Sequence, residues 1–228
     1  MSSDPTHRIT DLDTLQARYG TPAPNSLTKE VDYLHPHYRA FVEAAPFVVL
    51  ATSGPQGLDA SPRGDGPGFV VIEDDRTLLL PDRRGNNRID SLRNIVADPR
   101  VALLFLVPGV GETLRVNGQA EISVEPALLA RFAVDGKPPR SVLRVRLETV
   151  FFQCSRAIVR SALWNPDARV DRASLPSAGQ ILGALSAGML DGERYDRELP
   201  AISMPCASAR NTAPDVPPAA CSSAWVRH

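Results

Sequence analysis

A succession of short apolar runs, each closed by turn residues, constrains this chain more than any other feature. Phe47-Val48-Val49-Leu50-Ala51-Thr52 and Val101 to Val107 are continuous and apolar, while Leu143, Val145 and Leu147 alternate with Arg144, Arg146 and Glu148 before the run Val150-Phe151-Phe152. Runs of this length are too brief for core helices and read as strands. The two continuous ones predict strands buried on both faces. Gly54-Pro55-Gln56-Gly57 turns the first into a return strand at Leu58 to Ser61, and Phe69–Ile72 pairs with Thr77–Leu80 around Glu73-Asp74-Asp75-Arg76. Thr113 to Val124 alternates in part and is interrupted by Asn117-Gly118. That dipeptide is a hairpin signal in isolation; here it is read as a bulge within one long strand. Six or seven strands with inserted helices predict a mainly β fold, a closed or nearly closed barrel.

Helical patterns surround the strands. Helices are expected at Asp11–Tyr19, Pro36–Ala44, Glu125–Val134, Ser155–Trp164 and Ser177–Leu190, with extended chain forced by Pro22 and Pro24. The expected organisation is an N-terminal helical and loop extension over 1–45, a barrel domain with C-terminal helices over 46–200, and a tail over 201–228. The tail is rich in Ala, Pro and Ser without periodicity, and disorder is expected there.

Charge and cysteine usage narrow the function classes. With 25 Lys and Arg against 26 Asp and Glu, nothing favours nucleic acid or an anionic membrane as partner. No apolar run reaches membrane-span length, and the start MSSDPTHRIT lacks the pattern of a signal peptide. Cys154, Cys206 and Cys221 fit neither a disulfide framework nor a zinc pattern, so a cytoplasmic protein is expected. Cys154 reads as a buried small residue. His35 and His37 make a poor metal pair and read as capping or surface residues, and no metal site is expected. Ser53 and Ser61 have no histidine partner, so no side chain is assigned a catalytic role. Gly64-x-Gly66-x-Gly68 is followed by strand-like Phe69–Ile72, where a dinucleotide fingerprint requires a helix.

Chemistry concentrates in residues 59–93. Two arginine-bearing turns lie there, Ser61-Pro62-Arg63-Gly64-Asp65-Gly66 and Pro81-Asp82-Arg83-Arg84-Gly85-Asn86-Asn87-Arg88. The second opens a helix in which Ile89, Leu92 and Ile95 or Val96 recur at helical spacing, stopped by Asp98-Pro99. Asn86 or Asn87 is expected to cap it, placing Arg88 in its first turn, where the macrodipole disfavours a cation unless an anion binds beside it. A lone arginine in such a turn is ordinarily solvated. Several arginines, glycines and a helix start together are the materials of a phosphate site.

At these turns the chain resembles the pyridoxamine 5′-phosphate oxidase-like flavoproteins, the FMN-binding split barrels, and within them a branch of FMN-dependent flavoproteins without an assigned reaction. ATSGPQGLDASPRGDGPGFV, LPDRRGNNRIDSLRNIVADPRVALLFLVPG, ETLRVNGQAEI and FFQCSRAIVRSALW carry the resemblance, over roughly residues 40–200. It implies a six-stranded split β-barrel forming a homodimer, with FMN between the subunits and a small-molecule redox substrate, NAD(P)H among the candidates. By resemblance Arg63 grips the phosphate, Gly64 and Asp65 meet the flavin edge, Pro81 and Asp82 form the next cofactor-contacting strand end, and Asn87 and Arg88 form the helix-start phosphate pair. Thr113 reaches the cofactor of the partner subunit, and Trp164 covers the flavin. The chain departs from the oxidases proper, which carry Ser-Arg-Lys where it reads Gly-Asn-Asn-Arg and end in an Arg-x-His motif that it lacks. Oxidation of pyridoxamine phosphate is therefore not expected. An FMN-dependent oxidoreductase and a non-enzymatic flavin-binding module both remain open.

Overall fold

Inward-pointing apolar side chains on alternate strand positions organise the whole barrel. The computed structural model describes residues 7–198. Its strands are β1 (Phe47–Gly54), β2 (Gly57–Gly64), β3 (Val71–Ile72), β4 (Thr77–Asp82), β5 (Arg100–Leu106), β6 (Thr113–Ser123) and β7 (Ser141–Gln153). They form one antiparallel sheet in the order β2-β1-β5-β6-β7-β4-β3. Every strand except the two-residue β3 has at least 6 residues, which leaves the expected six-stranded barrel with a short ribbon at its edge. Val48 and Leu50 of β1, Leu103 and Phe105 of β5, Leu114 and Val116 of β6, Val145 of β7 and Leu80 of β4 all enter one core cluster. Strands at opposite ends of the sheet supply the same interior, so the sheet wraps around it. Each fully buried aliphatic side chain contributes about 1.5–3 kcal/mol there. Outside the wall, Leu79 and Val142 form a second cluster with Leu128 and Phe132.

β1 and β5 correct the sequence expectation of burial on both faces. Their burial alternates, with Val48, Leu50, Leu103 and Phe105 enclosed and Val49, Ala51, Leu104 and Leu106 only half-buried. The outward residues are apolar yet remain partly open to solvent within the single chain.

The Asn117-Gly118 interruption is a bulge. The β6–β7 register shifts there, and both residues stay within β6. A Cβ on Gly118 would lie 2.1 Å from the Arg146 carbonyl oxygen, so the close approach of β7 requires glycine.

The helices are α1 (Leu12–Tyr19), α2 (Pro24–Thr28), α3 (Pro36–Ala44), α4 (Asp90–Ala97), α5 (Pro126–Arg131), α6 (Arg156–Arg160), α7 (Ala178–Leu185) and α8 (Gly192–Glu198). Asp11 caps α1 by accepting from the Thr14 N–H, and His35 caps α3 through Nδ1, 3.2 Å from the His37 nitrogen. Pro24 opens a helix instead of extending the chain, because its missing N–H and fixed φ suit a first helical turn. Only Val71 and Ile72 of the expected Phe69–Ile72 strand pair, since Phe69 and Val70 enter the core directly. The expected helix over Ser155–Trp164 ends at Arg160, and Ala162 then takes φ 51°.

The chain divides into two compact units, one ending at Arg169 and one beginning at Val170. In the second unit Ser177 forms a capping box with Gln180 at the start of α7. The Asp196 carboxylate of α8 accepts from the Ser177 hydroxyl at 2.5 Å and the Gly179 N–H at 2.8 Å. The tail 201–228, with Cys206 and Cys221, lies outside the described residues. Among those residues no helix is long and apolar enough to cross a membrane.

Candidate functional site

Two strand ends and one turn build a basic cleft. β2 ends at Arg63 and Gly64, and β4 ends at Asp82, without the two strands sharing a hydrogen-bonded ladder. Directly opposed residues share a face, so Arg63 lies on the interior face with its partner Val48. There its Nη1 donates to Asp82 Oδ1 at 2.5 Å, with both side chains less than one-fifth exposed. Arg63 Nη2 lies 3.4 Å from Ser91 Oγ, and the Ser91 hydroxyl donates to Asp59 at 2.5 Å. This network joins β2, β4 and the first turn of α4 around one guanidinium.

The position of α4 is fixed from below. Buried Asn94 donates through Nδ2 to Thr52 Oγ1 at 3.2 Å and to the Gly57 carbonyl at 3.3 Å. Gly54 lets it approach, because a Cβ there would stand 2.3 Å from Asn94 Oδ1.

The cleft encloses about 300 Å³. Of the residues assigned to a cofactor, Arg63, Gly64, Pro81, Asp82, Asn87 and Arg88 line it. Asp65 stands behind them, accepting from Arg83 Nε at 2.8 Å. Arg83 also donates through Nη1 to the Phe132 carbonyl at 2.6 Å, which holds the second turn against the end of α5. Thr113 and Trp164 are elsewhere. Thr113 borders a separate hollow of about 490 Å³ on the outer face, shared with Val49, Ala51, Leu104 and Leu106. The Trp164 indole N–H donates to the Val110 carbonyl at 2.7 Å and pins the β5–β6 turn.

The helix start corrects two expectations. Neither asparagine caps α4, whose N-cap is Ile89 without a side-chain hydrogen bond. Asn87 instead takes φ 62°, and Asn86 Oδ1 accepts from the Arg88 N–H at 3.0 Å. Arg88 thus precedes the helix, and its guanidinium donates to Asp90 in the first turn. That carboxylate pushes the Arg88 pKa still higher, and it supplies the compensation that an anion was expected to give.

The arrangement suits an anion. Arg63, Arg83, Arg84, Arg88 and Arg140 line the cleft against a single lining carboxylate, Asp82. Arg63 Nε is buried without a hydrogen-bond partner, an N–H that a ligand oxygen can satisfy. Arg140 was not anticipated from sequence. It enters because Asp82 pairs with Ser141 across the β4–β7 ladder, and no local pattern signals that register.

The family profile for pyridoxamine 5′-phosphate oxidase matches residues 34–154, more than half of the chain. The chain belongs to the pyridoxamine 5′-phosphate oxidase family. Its fold is the split β-barrel with added helices that the resemblance implied. HupZ of Group A Streptococcus is 20% identical, covering 53% of this chain and 94% of that one with a TM-score of 0.42. A general stress protein 26-related protein of the pyridoxinephosphate oxidase family from Clostridium acetobutylicum is 16% identical, with coverages of 52% and 86% and a TM-score of 0.40. An FMN-binding protein from Syntrophomonas wolfei is 11% identical, with coverages of 61% and 95% and a TM-score of 0.39. No curated protein matches the chain.

Cys154 is half-buried instead of enclosed, and the Arg156 backbone N–H leads the influences that lower its thiol pKa. No group of acidic, histidine or cysteine side chains suited to a metal occurs among the described residues.

Proposed function

We propose that the protein binds FMN in the arginine-lined cleft and works as an FMN-dependent oxidoreductase. The observation that carries this reading is the buried, unpartnered Arg63 Nε at the head of a cleft lined by five arginines, in a chain of this family. Arg63, Asn87 and Arg88 would hold the phosphate, with Gly64, Asp65, Pro81 and Asp82 along the ring side. Bound FMN supplies two-electron hydride chemistry, for which no protein nucleophile is needed. The chain's own residues bind, orient and control access. A small-molecule donor such as NAD(P)H fits this reading, and oxidation of pyridoxamine phosphate does not.

The active form in this reading is a homodimer. The half-buried apolar residues Val49, Ala51, Leu104 and Leu106 form an outer face that a second copy would cover. Thr113 borders that face, and it would approach the partner's cofactor from there, with Trp164 as the cover. A cytoplasmic location, without nucleic-acid or membrane partners, accompanies the near-neutral charge.

The same cleft would equally serve a second reading, a non-enzymatic flavin carrier or sensor. Among the described residues the cleft lining holds no histidine, cysteine or glutamate, and its one carboxylate is tied to Arg63. An absorption spectrum of purified protein, with mass identification of material released on denaturation, tests the cofactor. Twin flavin bands and released FMN are expected. A colourless protein that also ignores added FMN would overturn both readings. Anaerobic addition of NADH or NADPH then separates them: bleaching of the flavin band supports the enzyme, and no reduction by a broad donor panel supports the carrier.

A further inference from the structure

Ionic pairing sorts the arginines of the cleft into two kinds. Arg63 is paired with Asp82, Arg83 with Asp65 and Arg88 with Asp90. Arg84 and Arg140 line the same cleft, are exposed, and have no ion pair or hydrogen bond among the described residues. They come from distant parts of the sequence. The Asp82–Ser141 register pair brings them to one ladder end, Arg84 just beyond β4 and Arg140 just before β7.

An arginine already bound to a carboxylate presents little net charge to an incoming anion, because the carboxylate repels the anion at nearly the same range. The three paired arginines therefore orient a ligand by hydrogen bonding more than they attract it. Arg84 and Arg140 are the two lining arginines without a carboxylate partner, while Asp59, bonded to Ser91, is a further carboxylate close by. A phosphate monoester carries about −1.5 to −2 near neutral pH, the kind of charge that unpaired guanidinium groups attract. Each guanidinium can also exchange water for a forked contact with phosphate oxygens.

We infer that Arg84 and Arg140 read the charge of the cofactor's phosphate and set the preference of the cleft for FMN over riboflavin. This rests on the flavin reading above and adds two residues to it. Arg63 fixes where the phosphate sits, whereas Arg84 and Arg140 decide whether a flavin without one is accepted.

The test is titration of flavin-stripped protein with FMN and with riboflavin, at two salt concentrations, for wild type, Arg84→Ala, Arg140→Ala and the double variant. Both arginines are exposed and unpaired, so the variants should fold. Each single substitution is expected to weaken FMN binding about tenfold, and the double about a hundredfold, the scale of charge-assisted hydrogen bonds. Riboflavin affinity should stay within about threefold, and the salt dependence of FMN binding should shrink. A double variant that keeps the wild-type FMN-to-riboflavin ratio would overturn the inference while leaving the flavin reading intact. Parallel loss of both ligands would also overturn it, by showing that these residues act on the scaffold. Wild-type protein that binds neither flavin would instead remove the reading on which the inference rests.

Discussion

Arg63 closes the gap between β2 and β4 through Asp82, and its buried Nε has no hydrogen-bond partner among the described residues. In the proposed flavin reading, replacing it with alanine would remove a charge-assisted bond to the phosphate, and it leaves Asp82 mostly buried without its cation. FMN affinity is expected to fall about 10- to 100-fold. Stability is expected to fall by about 1–3 kcal/mol, readable as a lower midpoint in denaturant titration of the flavin-free protein. Arg88 is 78% exposed and turned toward Asp90, so Arg88→Ala should cost FMN affinity less than Arg63→Ala. Equal losses in isothermal titration would contradict that ranking. The arginine-bearing turns were legible in the sequence because glycine, proline and arginine act locally. Arg88 falls outside the helix because Asn87 adopts a left-handed conformation and the helix starts only at Asp90, which residue spacing does not signal. Arg140 was not legible, since its position depends on pairing between strands far apart in the chain.

At the scale of elements, the bulge in β6 and the hairpin of α7 with α8 both depend on close backbone approach. Gly118→Ala would drive a methyl group into the Arg146 carbonyl, a backbone atom that cannot swing away. The β6–β7 ladder would have to shift, at about 2 kcal/mol or more, which lowers the melting temperature by roughly 4–8 °C. A calorimetric scan showing no change would mean that the bulge relaxes freely. In the hairpin, the Ser177 hydroxyl, then the Gly179 N–H, lower the Asp196 pKa below its ordinary 3.8. Protonation is thus harder in the folded hairpin than in the unfolded chain. The contribution is present above that ordinary value and is lost as pH falls through the depressed folded one. Amide protection factors over 177–198, corrected for the intrinsic exchange rate, should fall on acidification below about pH 3.8, and Asp196→Ala should show low protection already at neutral pH. Period-2 alternation made the strands easy to read, and Asn117-Gly118 marked the bulge. The continuous apolar runs misled about burial because composition alone does not distinguish a covered outer face from an open one.

That open face bears on the assembly of the whole molecule. Val49, Ala51, Leu104 and Leu106 are side by side on β1 and β5, where the register pairs Val49 with Leu104 and Ala51 with Ala102. An apolar sheet face rimmed by polar Thr113, Arg115 and Gln153 has the composition of an interface, with charge kept to its edge. The sequence predicted apolar residues at these positions, and it could not say whether the same chain or another would cover them. The described residues of this chain leave them half-buried, so a second copy is the proposed cover. Sedimentation should then report a dimer, with an interface of the standard size, about 1,600 Å². Leu104→Glu places a carboxylate at the centre of the contact, without entering the barrel interior. It should weaken association by a hundredfold or more, about 3 kcal/mol, while the far-ultraviolet spectrum stays that of a folded barrel. The proposal that Thr113 and Trp164 complete the partner's site adds a stricter demand. FMN should be released in proportion to the monomer formed, because a monomer would keep Arg63, Arg84, Arg88 and Arg140 but lose the groups supplied across the interface. A folded Leu104→Glu monomer that holds FMN as tightly as wild type would place the entire cofactor site within one chain and remove the cofactor from the interface.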